Sequence, residues 1–255
     1  MIMNFDPTYN PFSLLGKTIL ITGASSGIGR ATAIECSKLG ATCIITGRNE
    51  ERLNETLSQM VGDGHKTIVA DISTKEGIDL LVEQTPNLDG LVNNAGISKN
   101  KPIKFYKQED LETIFQTNAF SPMLLIKGFL KKKKINEGAS LIFTSSIAVY
   151  ISELGNGIYG ASKAALTTYM HFCAAELAAK NIRVNSVHPG MIDTPLIHGG
   201  AFSEEDLVKD TEKYPLKRYG RPEEVAWAII YLLSNATSWV TGTSLVIDGG
   251  RVFTK

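Results

Sequence analysis

The chain has 255 residues, of which 43% are hydrophobic and 20% charged, and its 26 basic and 26 acidic side chains cancel to a formal net charge of zero at pH 7. That length suits one large α/β domain with a buried core, and the cancelled charge excludes a global field that would recruit nucleic acid or an anionic membrane. Cys36, Cys43 and Cys173 sit among apolar neighbours without metal-type spacing, the pattern of buried free thiols in a reducing compartment, so a cytoplasmic protein without a metal is expected.

Residues 1–14 carry Pro7 and Pro11 and no basic n-region followed by an apolar run, so they read as an extension that leads into the fold without joining its core. Residues 15–255 read as a single domain. Thr18 to Thr22 is a short β-branched apolar run, followed by the glycine loop Gly23-Ala-Ser-Ser-Gly27-Ile-Gly29 and a helical pattern stopped by Gly40. Further strands are expected at residues 41–46, 66–70, 88–93, 140–145, 183–188 and 244–247, and helices at 50–60, 75–84, 109–133, 157–180 and 222–234. Strands alternating with helices imply parallel pairing through right-handed crossovers. The expected fold is therefore a single-domain α/β Rossmann fold, a doubly wound seven-stranded parallel sheet with helices on both faces. No stretch is long enough to span a bilayer.

Two motifs carry chemistry. A glycine loop between a strand and a helix permits close backbone approach and aims free helix N–H groups at a phosphate, although glycines at 23, 27 and 29 depart from the common dinucleotide spacing. Tyr159 and Lys163 stand four residues apart at the start of a long helical pattern, one turn apart on one face. A nearby ammonium favours the phenolate, so the pair suits a general acid/base whose tyrosine pKa is lowered.

Thr22-Gly-x-x-x-Gly-x-Gly29, Asn93-Asn-Ala-Gly96, Ser146 placed 13 residues before Tyr159-x-x-x-Lys163, Pro189-Gly190 and Asp248-Gly-Gly250 follow in one order. Over about residues 15–250 this pattern resembles the short-chain dehydrogenase/reductase family. The resemblance implies that Tyr159 donates a proton to a carbonyl, that Lys163 lowers its pKa and binds the nicotinamide ribose, and that Ser146 holds the substrate oxygen, with Ser145 as its rival. Asn118 would anchor a water in a proton relay to the lysine. Gly23, Ser25, Ser26 and Ile28 would contact the cofactor at the glycine loop, and Asp71 and Ile72 would meet the adenine. Asn94, Ala95 and Gly96 would line the adenosine side, while Pro189, Ile192 and Thr194 would lie at the nicotinamide. Asn185 and Asp248 would hold loops.

At the end of the second strand, Thr46-Gly47-Arg48 offers glycine where an acidic side chain would select a ribose 2′-hydroxyl, followed by an arginine suited to a 2′-phosphate. NADP(H) is expected over NAD(H). Residues 195–220 match the family's substrate lid, with a short helical piece starting near Ser203, and name no substrate; His188 and His198 read as structural or solvent-facing. Lys131 to Lys134 and Lys180 close two helices, as the dipole favours in any case. In 3-oxoacyl-[acyl-carrier-protein] reductases, which the chain resembles in length and in Gly220-Arg-Pro-Glu-Glu224, basic residues near these helix ends receive an acidic carrier protein. Reduction of a 3-oxoacyl thioester is the leading expectation, with a sugar, polyol or hydroxysteroid dehydrogenase as the alternative and a non-catalytic nucleotide-binding regulator behind both. The family resemblance also implies a homotetramer, with Phe172, Met170 and Trp227 open to either interface or core.

Overall fold

The computed structural model describes residues 9–197 and 204–253. The apolar runs form β1 (Thr18–Thr22), β2 (Thr42–Gly47), β3 (Lys66–Val69), β4 (Leu88–Asn93), β5 (Ile135–Thr144), β6 (Arg183–Pro189) and β7 (Ser244–Ile247). They make one seven-stranded parallel sheet in the order β3-β2-β1-β4-β5-β6-β7. Helices cover both faces, which is why the successive residues Ile19, Leu20 and Ile21 of β1 are all fully buried. On one face α3 (Lys75–Gln84), α5 (Ser121–Lys131) and α6 (Gly157–Leu177) pack Leu81, Phe129 and Met170 against Leu20, Leu91 and Phe143. On the other, α1 (Gly27–Lys38), α2 (Glu50–Ser58) and α8 (Pro222–Leu233) pack Ala33, Leu53 and Ile229 against Ile19, Ile45 and Val92. Strand β1 pairs with β2 on one side and β4 on the other, so the winding reverses there and a crevice opens at the carboxyl ends of β1 and β4.

Three expectations need correction. Leu14 is fully buried in the core and its N–H donates to Leu39 O at 2.9 Å, so the inner end of the 1–14 extension belongs to the fold. The helix expected at 109–133 is interrupted: α4 (Gln108–Phe115) gives way to a five-residue π turn, Gln116–Phe120, before α5. Pro122 supplies no N–H to the ladder and the Ser121 hydroxyl donates to Gln116 O at 2.7 Å, so the wider turn is stabilised where a regular one would lose bonds. Strand β5 starts at Ile135, not Ser140; Ile135 pairs with Leu88, and the register shifts before Gly90 meets Ser140. Gly138, with φ of +77°, absorbs that irregularity.

Helices α5 and α6 end just before β5 and β6 begin, so Lys131 to Lys134 and Lys180 lie at the amino edge of the sheet, opposite the glycine loop. Two of these lysines have internal partners. Lys132 pairs with Glu83, and Lys134 Nζ donates to Val82 O, Glu83 O and Thr85 O, closing the carboxyl end of α3. Replacing Lys134 with Met should lower unfolding free energy by about 1.5–3 kcal/mol, the usual range for hydrogen bonds to charged groups. Urea unfolding measures this directly, and an unchanged midpoint would show that the lysine caps nothing.

Candidate active site

At the end of β1 the chain turns at Gly23, φ +67°, into α1. A Cβ at Gly23 would stand 2.8 Å from Ala95 Cα, so glycine is what lets the loop lie against the end of β4. Thr22 Oγ1 accepts from the N–H groups of Asn94 and Ala95, each at 3.0 Å, and Asn94 Nδ2 donates to Thr22 O at 3.1 Å. The Asn94 amide thus holds the loop itself. No side chain caps α1, whose N-cap Ser26 has extended backbone, leaving first-turn N–H groups for an anion. Two residues that do not stand out in the sequence brace the loop from behind. Arg30 donates to Ser25 O at 2.8 Å and to Thr56 Oγ1 at 3.1 Å, and the Thr56 hydroxyl donates to Ala24 O at 2.9 Å. The only signal was an arginine placed directly after the third glycine.

Beyond the loop, Gly47 ends β2 with Ser25 in ordinary contact range of its missing side chain. Arg48 is exposed and has no hydrogen bond or ion pair among the described residues. Burial pushes the Asp71 carboxyl up, but hydrogen bonds from the Ser73 side chain and backbone, with the charge of Arg48, outweigh it and hold the group below its usual range. Arg48 and Asp71 therefore share the end of the crevice beside β2, with Ile72 buried beside them.

The residues that the sequence offers as an acid/base pair lie where β5 ends and α6 begins. Lys163 is buried, its Nζ donates to Thr144 O at 2.7 Å, and burial brings its pKa down to about 8. The ammonium lies 5.7 Å from the centroid of the Tyr159 ring. The expected lowering of the tyrosine is not found: burial raises the phenol above its ordinary value, opposed by a hydrogen bond with Ser146. The reason is that Lys163 directs its proton to Thr144, not to the phenol oxygen. Ser145 faces away from this group, buried against α6 with its hydroxyl 2.8 Å from Thr167 Oγ1. Asn118, in the π turn, accepts from Ile97 N at 2.9 Å and donates to Ile97 O at 2.9 Å and Ser162 Oγ at 3.1 Å. Ser162 in turn donates to Tyr159 O at 2.7 Å. A Cβ at Gly96 would fall 3.3 Å from both Asn118 Oδ1 and Lys163 Nζ, so the glycine keeps a gap open between them.

Segment 189–194 closes the other side. Pro189 ends β6, Ile192 is buried and bridges to Gly220, and Thr194 Cγ2 would stand 3.1 Å from a Cβ on Gly27 across the crevice. Tyr214 ties the segment after α7 to this one by accepting from Met191 N at 3.1 Å. Helix α7 (Glu204–Thr211) forms the short piece in the lid; Ser203 and His198 lie outside the described residues. Asn185 and Asp248 hold loops, Asn185 through Val240 O and Thr243 N and Asp248 through the N–H groups of Gly250 and Val252. A glycine cradle, an uncapped helix start and an arginine without a partner among the described residues lie along one crevice and fit a dinucleotide.

Comparison with known proteins agrees with this geometry. The family model described as "Enoyl-(Acyl carrier protein) reductase" matches residues 23–251. The 3-oxoacyl-[acyl-carrier-protein] reductase FabG of Rickettsia prowazekii is 37% identical over 239 residues, covering 94% of this chain and 98% of the relative. Among solved structures, the Pseudomonas aeruginosa RhlG/NADP active-site complex superposes with a TM-score of 0.88 at 33% identity, covering 96% of this chain and 100% of that one. A putative gluconate dehydrogenase from Agrobacterium tumefaciens gives 0.89 at 26% identity, with 97% and 100% covered. With a family model matched over most of its length and a relative above 30% identity covered almost end to end, the chain belongs to the short-chain dehydrogenase/reductase family of nicotinamide-dependent oxidoreductases.

Proposed function

We propose that this protein reduces a 3-oxoacyl thioester to the 3-hydroxyacyl form with NADP(H), Tyr159 being the proton donor. The observation that carries this reading is the convergence of Ser146, Tyr159, Lys163 and Asn118 at the strand ends beside the glycine cradle. The bound dinucleotide supplies the hydride to the carbonyl carbon. Ser146 orients the carbonyl oxygen by a hydrogen bond, and Tyr159 passes its phenolic proton to that oxygen as charge develops there. A phenol raised by burial is fully protonated at neutral pH, which suits a donor in the reductive direction. The gap beside Gly96 gives a water room to return a proton to the phenolate that results, by way of Lys163. Asn118, its amide engaged with Ile97 and Ser162, acts by fixing the walls of that gap.

Ser25, Ser26 and Ile28 would bind the pyrophosphate, and Asn94, Ala95 and Gly96 would back the adenosine side. Pro189, Ile192 and Thr194 would bind the nicotinamide. Arg48, without a partner among the described residues and next to a glycine, supports NADP(H) over NAD(H), and the similar structure titled as an NADP complex points the same way. If a carrier protein docks on the lysine ends of α5 and α6, the amino-edge position of those lysines means that they serve the cleft of a second subunit. Phe120, Leu124 and Phe172, exposed on the helices of that face, support a second copy there and thus the homotetramer; Met170 is core, and Trp227 donates to Glu35. The reading places one catalytic domain over residues 15–255 in the cytoplasm, consistent with buried free thiols at Cys36, Cys43 and Cys173. A sugar or polyol alcohol is the second substrate reading, favoured by the fold match to the Agrobacterium protein.

Oxidation of NADPH by the purified protein with acetoacetyl thioester tests the function. Tyr159→Phe should lower that rate by about 1,000-fold while NADPH binding, followed by its fluorescence, persists; a variant that still turns over removes the tyrosine from the mechanism. Arg48→Asp should shift the preference from NADPH toward NADH by roughly 10-fold or more, in line with the loss of a charged phosphate contact. An unchanged ratio of kcat/KM for the two cofactors would assign phosphate recognition elsewhere.

A further inference from the structure

His188, near the end of β6, is fully buried and adjoins the single 3-10 turn Ile147–Val149 that follows β5. Both its nitrogens have partners. Nδ1 lies 3.2 Å from Ser146 O, and Nε2 lies 2.8 Å from Ser186 Oγ, itself 3.1 Å from Ser244 Oγ. A carbonyl oxygen can only accept, so the proton sits on Nδ1 and Nε2 accepts from the Ser186 hydroxyl. Burial drives the imidazole down to about 4; the bond to the Ser146 carbonyl opposes this, and the charges of Lys163 and His171 add to it. One neutral tautomer therefore persists at neutral pH.

The ring also lies against Tyr150, with centroids 5.2 Å apart and planes inclined by 31°. The imidazole thus touches both ends of the turn, the Ser146 carbonyl at its start and the Tyr150 ring at its close. Ser146 Oγ accepts from Ala148 N at 3.1 Å within the same turn, so rotating the Ser146 peptide would carry the hydroxyl away from Tyr159. We propose that His188 is a positioning residue: from β6 it clamps the turn at residues 146–150 and so fixes the direction of the Ser146 hydroxyl. The role rests on the reductase reading only in what Ser146 then does to substrate; the clamp itself is a property of the fold. A leucine would fill a similar volume without any donor, which separates packing from positioning.

Hydrogen exchange over residues 146–150 reads the clamp without substrate. His188→Leu should speed exchange there by about tenfold, whereas His188→Asn, whose amide can donate from the place of Nδ1, should remain near wild type. Equal exchange in all three proteins overturns the clamp. With NADPH and acetoacetyl thioester, His188→Leu should lose about 100-fold in kcat at a nearly unchanged KM for NADPH, and His188→Asn should restore most of it. Loss in both variants, or in neither, overturns the positioning role. A wild type that binds NADPH yet leaves the thioester untouched overturns the reductase reading instead, and the exchange result still decides the clamp. If His188→Leu does not fold, His188→Met takes its place, since it too fills the site without a donor; unchanged exchange in that variant counts against the clamp equally.

Discussion

The approach of Gly23 to Ala95 sets the shape of the cleft. Two parallel strands, β1 and β4, end at the same level, and the chain leaves each in a different direction. For a dinucleotide to lie across that point, the loop after β1 must press against the loop after β4 with backbone alone between them. The Thr22 hydroxyl then ties the two loops together, and the Arg30–Thr56 brace keeps the first from lifting. A side chain at Gly23 would widen the gap and leave the α1 amides pointing at nothing.

The second constraint is the burial of Lys163. An ammonium so deep requires a partner, and the Thr144 carbonyl at the end of β5 provides one. The same bond ties the first turns of α6 to the sheet, beside the contact of Ser145 with Thr167 and the packing of Leu166 and Met170. It also explains why the phenol is not acidified by its neighbour: the lysine is held by its geometry at the ring, and burial decides the tyrosine's proton affinity.

Much of this was legible in the sequence because it follows from local patterns. The alternation of β-branched runs and helical periods gives the sheet, the tyrosine, lysine and glycine loop announce themselves by spacing, and the family resemblance adds the serine. Less legible features have non-local causes. Leu14 reads as part of a proline-marked leader because only its fit beneath Leu39 makes it core. Ile135 to Ala139 contains Asn, Glu and Gly, and pairs as strand only because Leu88 offers a partner. Lys134 reads as one of a solvated run, although its ammonium is fixed by carbonyls some 50 positions earlier. His188 next to a proline turn carries no periodic signal at all; its meaning lies in a serine 42 positions away.

The π turn at Gln116–Phe120 can also be viewed as a phase adjustment. Each residue of an α-helix advances about 100° around the axis, so a turn that holds one residue more shifts everything beyond it by that angle relative to a straight rod. The apolar stripe of α4, with Ile114, and that of α5, with Leu125 and Phe129, can then both face the interior while Asn118 between them points at Ile97 and Ser162. The bulge is thus a spare residue stored in the backbone. Loss of a single residue from this stretch would leave a more regular helix and a protein in which either the core stripe or the asparagine faces the wrong way.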